Sequence, residues 1–217
     1  MTNDTRVRVA LFDYGAGNLH SLAKGLEAGG AEVEITTDWD VALSREALVL
    51  PGVGSFGAAV RSLEGRIAEV RAALERGLPC LGICLGMQLF FPDSEEGEGS
   101  GIGLIGGRVR RIRAATVPQM GWNDVEPLAP ADPLLAEFAG LTAYYANSFV
   151  CEPEDPATVI ATSEVDEDRF AAAVRRGRSW GVQFHPEKSS APGLALLRSF
   201  LRQVRTPTPE PAREEGR

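Results

Sequence analysis

From Val7 to Phe91 the chain alternates short apolar runs with helical periodicity, and this alternation restricts its fold more than any other feature. Val7 to Phe12 is an apolar, β-leaning run followed by a turn over 13–18; Leu19, Leu22, Ala23 and Leu26 then recur at helical spacing and stop at Gly29-Gly30. Val33 to Thr36 and Ala47 to Leu50 are the next two strands, the second ending in Pro51-Gly52-Val53-Gly54. Phe56 to Arg76 holds one or two helices, with Gly65 as a break and Gly77 as a C-cap. Pro79 to Ile83 is a fourth strand, and Leu85 to Phe91 a helix stopped by Pro92. Strands that are separated by helices pair in parallel and are covered by those helices, so the expectation is an α/β fold with a mostly parallel central sheet and flanking helices.

After Phe91 the pattern changes. Glu95 to Gly103 is a Gly- and Glu-rich loop, and six short strands follow: 107–113, 121–125, 143–150, 158–162, 170–175 and 179–184. Pro, Gly and Asp turns separate them, which suits an added antiparallel portion, and Ala191 to Val204 closes the pattern as an amphipathic helix. Residues 1–205 read as one domain, and the polar, Pro-rich 206–217 as a disordered tail. A chain of 217 residues can bury a full core unaided. A net charge of −8 argues against a general nucleic-acid or membrane-surface binder. Three cysteines without a disulfide framework, no signal-peptide pattern and no long apolar run make the cytoplasm the expected location. Two histidines and three cysteines in unsuitable spacing leave no expected metal site, and no cofactor is implied.

The chemistry starts at Gly82-Ile83-Cys84-Leu85-Gly86, a G-x-nucleophile-x-G pattern with cysteine at its centre, an apolar strand before it and a helix after it. Such an elbow exposes a nucleophile above the sheet edge, and small residues at −2 and +2 let strand and helix approach. The first turn of a helix also favours a thiolate. On the pentapeptide alone, a buried, inert cysteine is as good a reading. Cys80 sits inside the apolar strand and reads as core; Cys151 follows a strand in a Pro- and Glu-rich turn and reads as incidental.

A cysteine nucleophile needs a base, and the base an orienting group. His20 lies early in a helix and reads as a surface or structural residue. His185 ends the alternating run Trp180-Gly-Val-Gln-Phe-His185, where an open α/β sheet presents its catalytic groups, with Glu187 two residues on as a candidate acceptor for its second ring nitrogen; on its own the segment reads rather as a turn histidine beside an unrelated glutamate, and the nucleophile elbow tips the reading. Acyl transfer also needs oxyanion donors: the Leu85 N–H directly after the nucleophile, and a second N–H from Gly52 or Val53 at the end of a neighbouring strand. Two other signals carry less. Gly101-Ile-Gly103-Leu-Ile-Gly106 follows an acidic loop and leads into a strand, the wrong context for dinucleotide binding. The arginines of 108–113 read as a half-solvated strand before they read as a partner-binding edge.

Gly82-Ile-Cys-Leu-Gly-Met-Gln88, Pro51-Gly-Val-Gly54 and His185-Pro-Glu187 together resemble the three signatures of the class I (triad-type) glutamine amidotransferases. Asp13-Tyr-Gly-Ala-Gly-Asn-Leu-His-Ser21, Ser94-Glu-Glu-Gly97, Gly103-Leu-Ile-Gly106 and Pro118-Gln-Met-Gly-Trp-Asn123 are similar to segments of one of its subfamilies, the glutaminase subunits of imidazole glycerol phosphate synthase. The resemblance implies a flavodoxin-like fold and a Cys84, His185, Glu187 triad that hydrolyses glutamine. It further implies Gly52, Val53 and Leu85 around the oxyanion, and Gln88 and the segment Asn147-Ser148-Phe149 at the substrate. A heterodimer with the cyclase HisF, a (β/α)₈ barrel, is implied too, contacted by Met120, Trp122, Asn123 and Lys188, with ammonia passing to it for histidine biosynthesis. Two positions depart from the family pattern: Asn147 and Gln119 stand where histidine is usual. A different class I glutaminase, a non-catalytic relative and a cysteine peptidase are the alternative readings.

Overall fold

The computed structural model describes residues 6–15, 17, 19–138 and 142–206. Its elements run β1 Val7–Phe12, α1 His20–Ala28, β2 Ala31–Thr36, α2 Trp39–Leu43, β3 Ala47–Leu50, α3 Phe56–Ser62, α4 Ile67–Glu75, β4 Cys80–Ile83 and α5 Leu85–Gln88. The second half adds β5 Asp93–Ser94, β6 Gly107–Arg111, β7 Gln119–Asp124, β8 Glu126–Pro127, β9 Thr142–Asn147, β10 Phe149–Pro153, β11 Val159–Val165, β12 Asp168–Arg176, β13 Ser179–Val182 and α6 Ser190–Arg205.

One eight-stranded sheet carries the order β2-β1-β3-β4-β13-β12-β11-β8. Its first five strands are parallel and its last three antiparallel, as the change in sequence pattern suggests. The period-two alternation divides each central strand between two cores. Val9, Leu11, Val49, Leu81 and Ile83 face α1 and α6, while Ala10, Phe12, Leu48, Leu50 and Cys80 face Trp39, Phe56 and Val70 on the other side. Burial on both faces accounts for the nearly continuous apolar runs of β1, β3 and β4. Trp180 on β13 packs edge-on against Phe200 of α6, with ring centroids 6.2 Å apart.

Several expectations change in detail. The 56–76 segment is two helices, and Gly65 at φ +75° lies between them. Helix α5 lasts only from Leu85 to Gln88, because Phe90 and Phe91 N–H turn back to the Met87 and Gln88 carbonyls in tighter turns. The run 143–150 is two strands in different sheets: β9 pairs with β7, β10 with β6, and Ser148 is the break. Cys151 is buried within β10 rather than in a turn. On β6 Arg110 is buried, forked onto Asp168 of β12 at 2.7 and 2.8 Å, so part of the arginine-rich segment is a structural tie. The tail expected beyond 206 lies outside the described residues. Among the described residues no helix is long and apolar enough to cross a membrane.

Phe200 is fully buried, so Phe200→Ala lowers the unfolding free energy by about 3–5 kcal/mol in urea denaturation. Ile35 is 49% exposed, and Ile35→Ala shifts it by less than about 1 kcal/mol.

Candidate active site

The C-terminal ends of β3, β4 and β13 lie side by side, with Leu50 opposite Gly82 and Gly82 opposite Gly181. Each strand delivers one part of the site, as an open parallel sheet does at its carboxyl edge. Beyond β4, Cys84 adopts φ 48° and ψ −105°, a conformation that costs a non-glycine residue on the order of 1–3 kcal/mol. Its N–H donates to the Val182 carbonyl at 2.7 Å, and its carbonyl accepts from Gln88 N–H at 3.1 Å, which opens α5. The flanking glycines explain themselves: a Cβ on Gly82 would come within 2.5 Å of the Gly86 carbonyl, and one on Gly86 would overlap the Leu50 carbonyl.

Beyond β13, His185 is buried, its N–H donating to the Tyr144 carbonyl of β9 at 2.8 Å. Its own carbonyl accepts from the Ser189 hydroxyl at 2.7 Å, and the same hydroxyl oxygen accepts the Tyr144 N–H at 2.9 Å. Glu187 lies in a short 3-10 turn, Pro186–Lys188, and its Oε1 is 2.8 Å from His185 Nδ1. Burial works to lower the His185 pKa, but hydrogen bonding and charge attraction to the Cys84 sulfur and the Glu187 carboxylate outweigh it and raise it to about 10.

Beyond β3, Gly52 fits against both groups. A Cβ there would stand 2.8 Å from Cys84 Cβ and 2.9 Å from His185 Cε1. Gly52, Cys84, Leu85, Gln88, Asn147, Ser148 and Phe149 line one cleft of about 190 Å³, joined by Gly54, Glu96 and Ala146. The structure thus brings together every expected substrate-side residue except Val53, which is half-buried and packs on Gly17. Gln88 Nε2 and Asn147 Nδ2 both donate to the Phe149 carbonyl, at 3.2 and 3.0 Å. His20 begins α1 and is exposed, outside this lining.

Two cleft-side residues are additions to the sequence reading. Burial raises the pKa of Glu96, a backbone hydrogen bond from Phe56 partly opposing it; its carboxylate is the one acidic group among the lining residues. Gln183, fully buried, donates to Cys84 Sγ at 3.4 Å. No sequence signal marks it, because a glutamine fits the alternating run before His185.

The expected partner face lies on the ribbon of β7 and β9. Met120 and Trp122 are 67% and 53% exposed, and Trp122 meets the Tyr144 ring edge-on at 6.2 Å. Lys188 Nζ lies 5.6 Å from the centre of that ring. Asn123 instead donates to the Glu164 carbonyl at 2.9 Å. The two departures from the family pattern are neighbours: Gln119 and Asn147 are opposite each other in the ribbon, both buried, and neither side-chain carbonyl oxygen accepts a hydrogen bond from a described residue.

The model of the class I glutamine amidotransferase family matches residues 10–204. Curated relatives named imidazole glycerol phosphate synthase subunit HisH include one from Synechococcus sp. (strain JA-3-3Ab), 43% identical over 91% of this chain and 94% of its own length. Another, from Moorella thermoacetica, is 42% identical over 91% and 95%. The chain belongs to the class I glutamine amidotransferases, in the HisH family. Among solved structures, the amidotransferase fold recurs in the PurLQS structure from Thermotoga maritima, with a TM-score of 0.73 at 21% identity over 92% of this chain and all of that one. It recurs again in a crystal structure described as a glutamine amidotransferase, with a TM-score of 0.72 at 20% identity over 91% of this chain and 99% of that one.

For this amidotransferase the raised pKa of His185 fixes the sign of a pH effect. Its contribution to stability is complete below about pH 6.5, the ordinary value, and is lost as the pH rises toward about 10. Urea denaturation of wild type across that range gives a falling unfolding free energy, and Glu187→Gln flattens the fall. An unchanged slope in that variant would contradict the pairing.

Proposed function

We propose that this chain is the glutaminase subunit of an imidazole glycerol phosphate synthase, with Cys84 as nucleophile, His185 as base and acid, and Glu187 as the group that orients His185. The observation that carries the reading is the junction of a strained cysteine at the cleft, a buried histidine paired with Glu187, and a glycine of the cleft lining that fits against both the cysteine and the histidine. The Cys84 thiolate attacks the side-chain amide carbon of glutamine, and the Leu85 N–H with a donor from Gly52 or Val53 takes the oxyanion. His185 gives its proton to the departing ammonia, then removes one from water, which hydrolyses the glutamyl thioester to glutamate. Gln88 and the 147–149 segment position the substrate. Glu96, as an acidic group inside the cleft, suits the α-ammonium of glutamine. These are acyl-transfer steps and call for no metal or redox cofactor.

The partner in this reading is the cyclase HisF, a (β/α)₈ barrel, which takes the ammonia to form imidazole glycerol phosphate and an aminoimidazole carboxamide nucleotide in the cytoplasm. Met120, Trp122, Asn123 and Lys188 form the contact. Adjacent exposed Met120 and Trp122 are the kind of large apolar anchors that interfaces use. Release of ammonia without the partner is wasteful, so the lone chain has low turnover. Full-rate glutamine hydrolysis by the isolated chain would contradict that gating. A glutaminase feeding pyridoxal phosphate synthesis is the nearest rival, and complementation of a histidine auxotroph separates the two.

Steady-state glutaminase assays with the cyclase give a loss of at least ~10³-fold for Cys84→Ala. Trp122→Asp weakens the stimulation by the cyclase, with an affinity loss of about 10- to 100-fold by calorimetry. Glutamine hydrolysis unaffected by Cys84→Ala would remove the proposal.

A further inference from the structure

Gln183 has no part in the triad, yet its side chain ends on the nucleophile. Its Nε2 donates to Cys84 Sγ at 3.4 Å, and its Oε1 accepts from Gln88 Nε2 at 3.4 Å. Gln88 Nε2 also donates to the Phe149 carbonyl at 3.2 Å, so both its protons are used, and Gln88 itself lines the cleft. Gln183 is entirely shielded from solvent and Gln88 nearly so. The backbone holds this chain of amides in place. Gln183 N–H donates to the Ala172 carbonyl at 2.9 Å, and the neighbouring Phe184 ring stacks on Phe138 at 5.1 Å. Gly181 lets α5 lie directly on β13, since a Cβ there would stand 2.6 Å from Met87 Cγ.

The polarity of the chain is fixed by its ends. Turning the Gln183 amide over would set its carbonyl against the sulfur and its NH₂ against that of Gln88, two repulsive contacts in place of two hydrogen bonds. A thiol sulfur is a weak acceptor and a thiolate a strong one, and water exclusion strengthens the difference. We propose that Gln183 is a further catalytic residue, whose side-chain N–H stabilises the charged sulfur of Cys84 while its carbonyl holds Gln88 against the substrate. This rests on the glutaminase reading. The donor acts twice. It favours the thiolate before attack, and when the thioester is cleaved the C–S bond breaks with its electron pair returning to sulfur, where the same N–H meets it. His185 supplies the proton chemistry and Gln183 does not.

The test is the pH dependence of Cys84 alkylation by iodoacetamide, read on the Cys84 peptide by mass spectrometry in the full chain with its cyclase. Gln183→Leu and Gln183→Met both lack the donor and raise the midpoint by about one pH unit. Their kcat falls at least about tenfold, and the glutamyl thioester accumulates on acid quench. Gln88→Ala raises KM instead and leaves the midpoint in place. A wild-type midpoint in a Gln183 variant that melts like wild type would overturn the proposal. If neither variant folds, the wild type carries the test, because the Gln183 side-chain amide resonance moves as Cys84 titrates, and a static resonance is equally fatal. Alkylation needs no glutamine, so a chain that passes this test but never hydrolyses glutamine refutes the glutaminase reading and not the contact.

Discussion

The site depends on how closely two pieces of backbone approach where β4 becomes α5. A side chain at residue 86 would occupy the position of the Leu50 carbonyl, and one at residue 82 would press into the Gly86 carbonyl. Between those two glycines Cys84 holds a positive φ of 48°. Everything else is arranged around it. Gly52, just beyond β3, leaves room beside the cysteine, and His185, just beyond β13, borders the same space. Strain at the elbow persists because two cores, one on each face of the sheet, hold the strands that make it.

Around that elbow, polar groups are buried in pairs and short chains. His185 has Glu187 on one nitrogen, its N–H on Tyr144 and its carbonyl on Ser189. Gln88, Gln183 and Asn147 share the Phe149 carbonyl and the cysteine sulfur between them. Away from water such contacts are stronger, and each also restricts rotation of the groups it joins. Of the five buried side-chain oxygens without a hydrogen-bond partner among the described residues, three, on Asn147, Gln119 and Glu187, stand near this machinery, and the other two are Tyr14 Oη and Ser179 Oγ.

Much of this was legible in the sequence. The strand and helix alternation led to the parallel half of the sheet, because burial on both faces leaves an unmistakable apolar run. The elbow glycines flagged Cys84, and the run ending at His185 placed the histidine at the sheet edge. What escaped was tertiary. No local pattern marks the break at Ser148, because the residues on either side both favour strands and only their different partners, β7 and β6, separate them. Nothing in the alternating run before His185 marks Gln183, and only the register sets it beside Cys84. Cys151 looked like a turn residue because its flanking Glu and Pro are turn formers, although β6 pairs with it. Arg110 looked solvated because its buried partner, Asp168, lies 58 positions further on.

The ribbon of β7 and β9 has a mechanical consequence. Tyr144 is held at both ends. Its main chain carries the His185 N–H and leans on Ser189, while its ring sits between Trp122 and Lys188 on the outer surface. A sideways push on that surface is therefore not absorbed by a flexible loop. It meets a residue whose own main chain is hydrogen-bonded to His185, so an outer contact and the inner histidine share one residue.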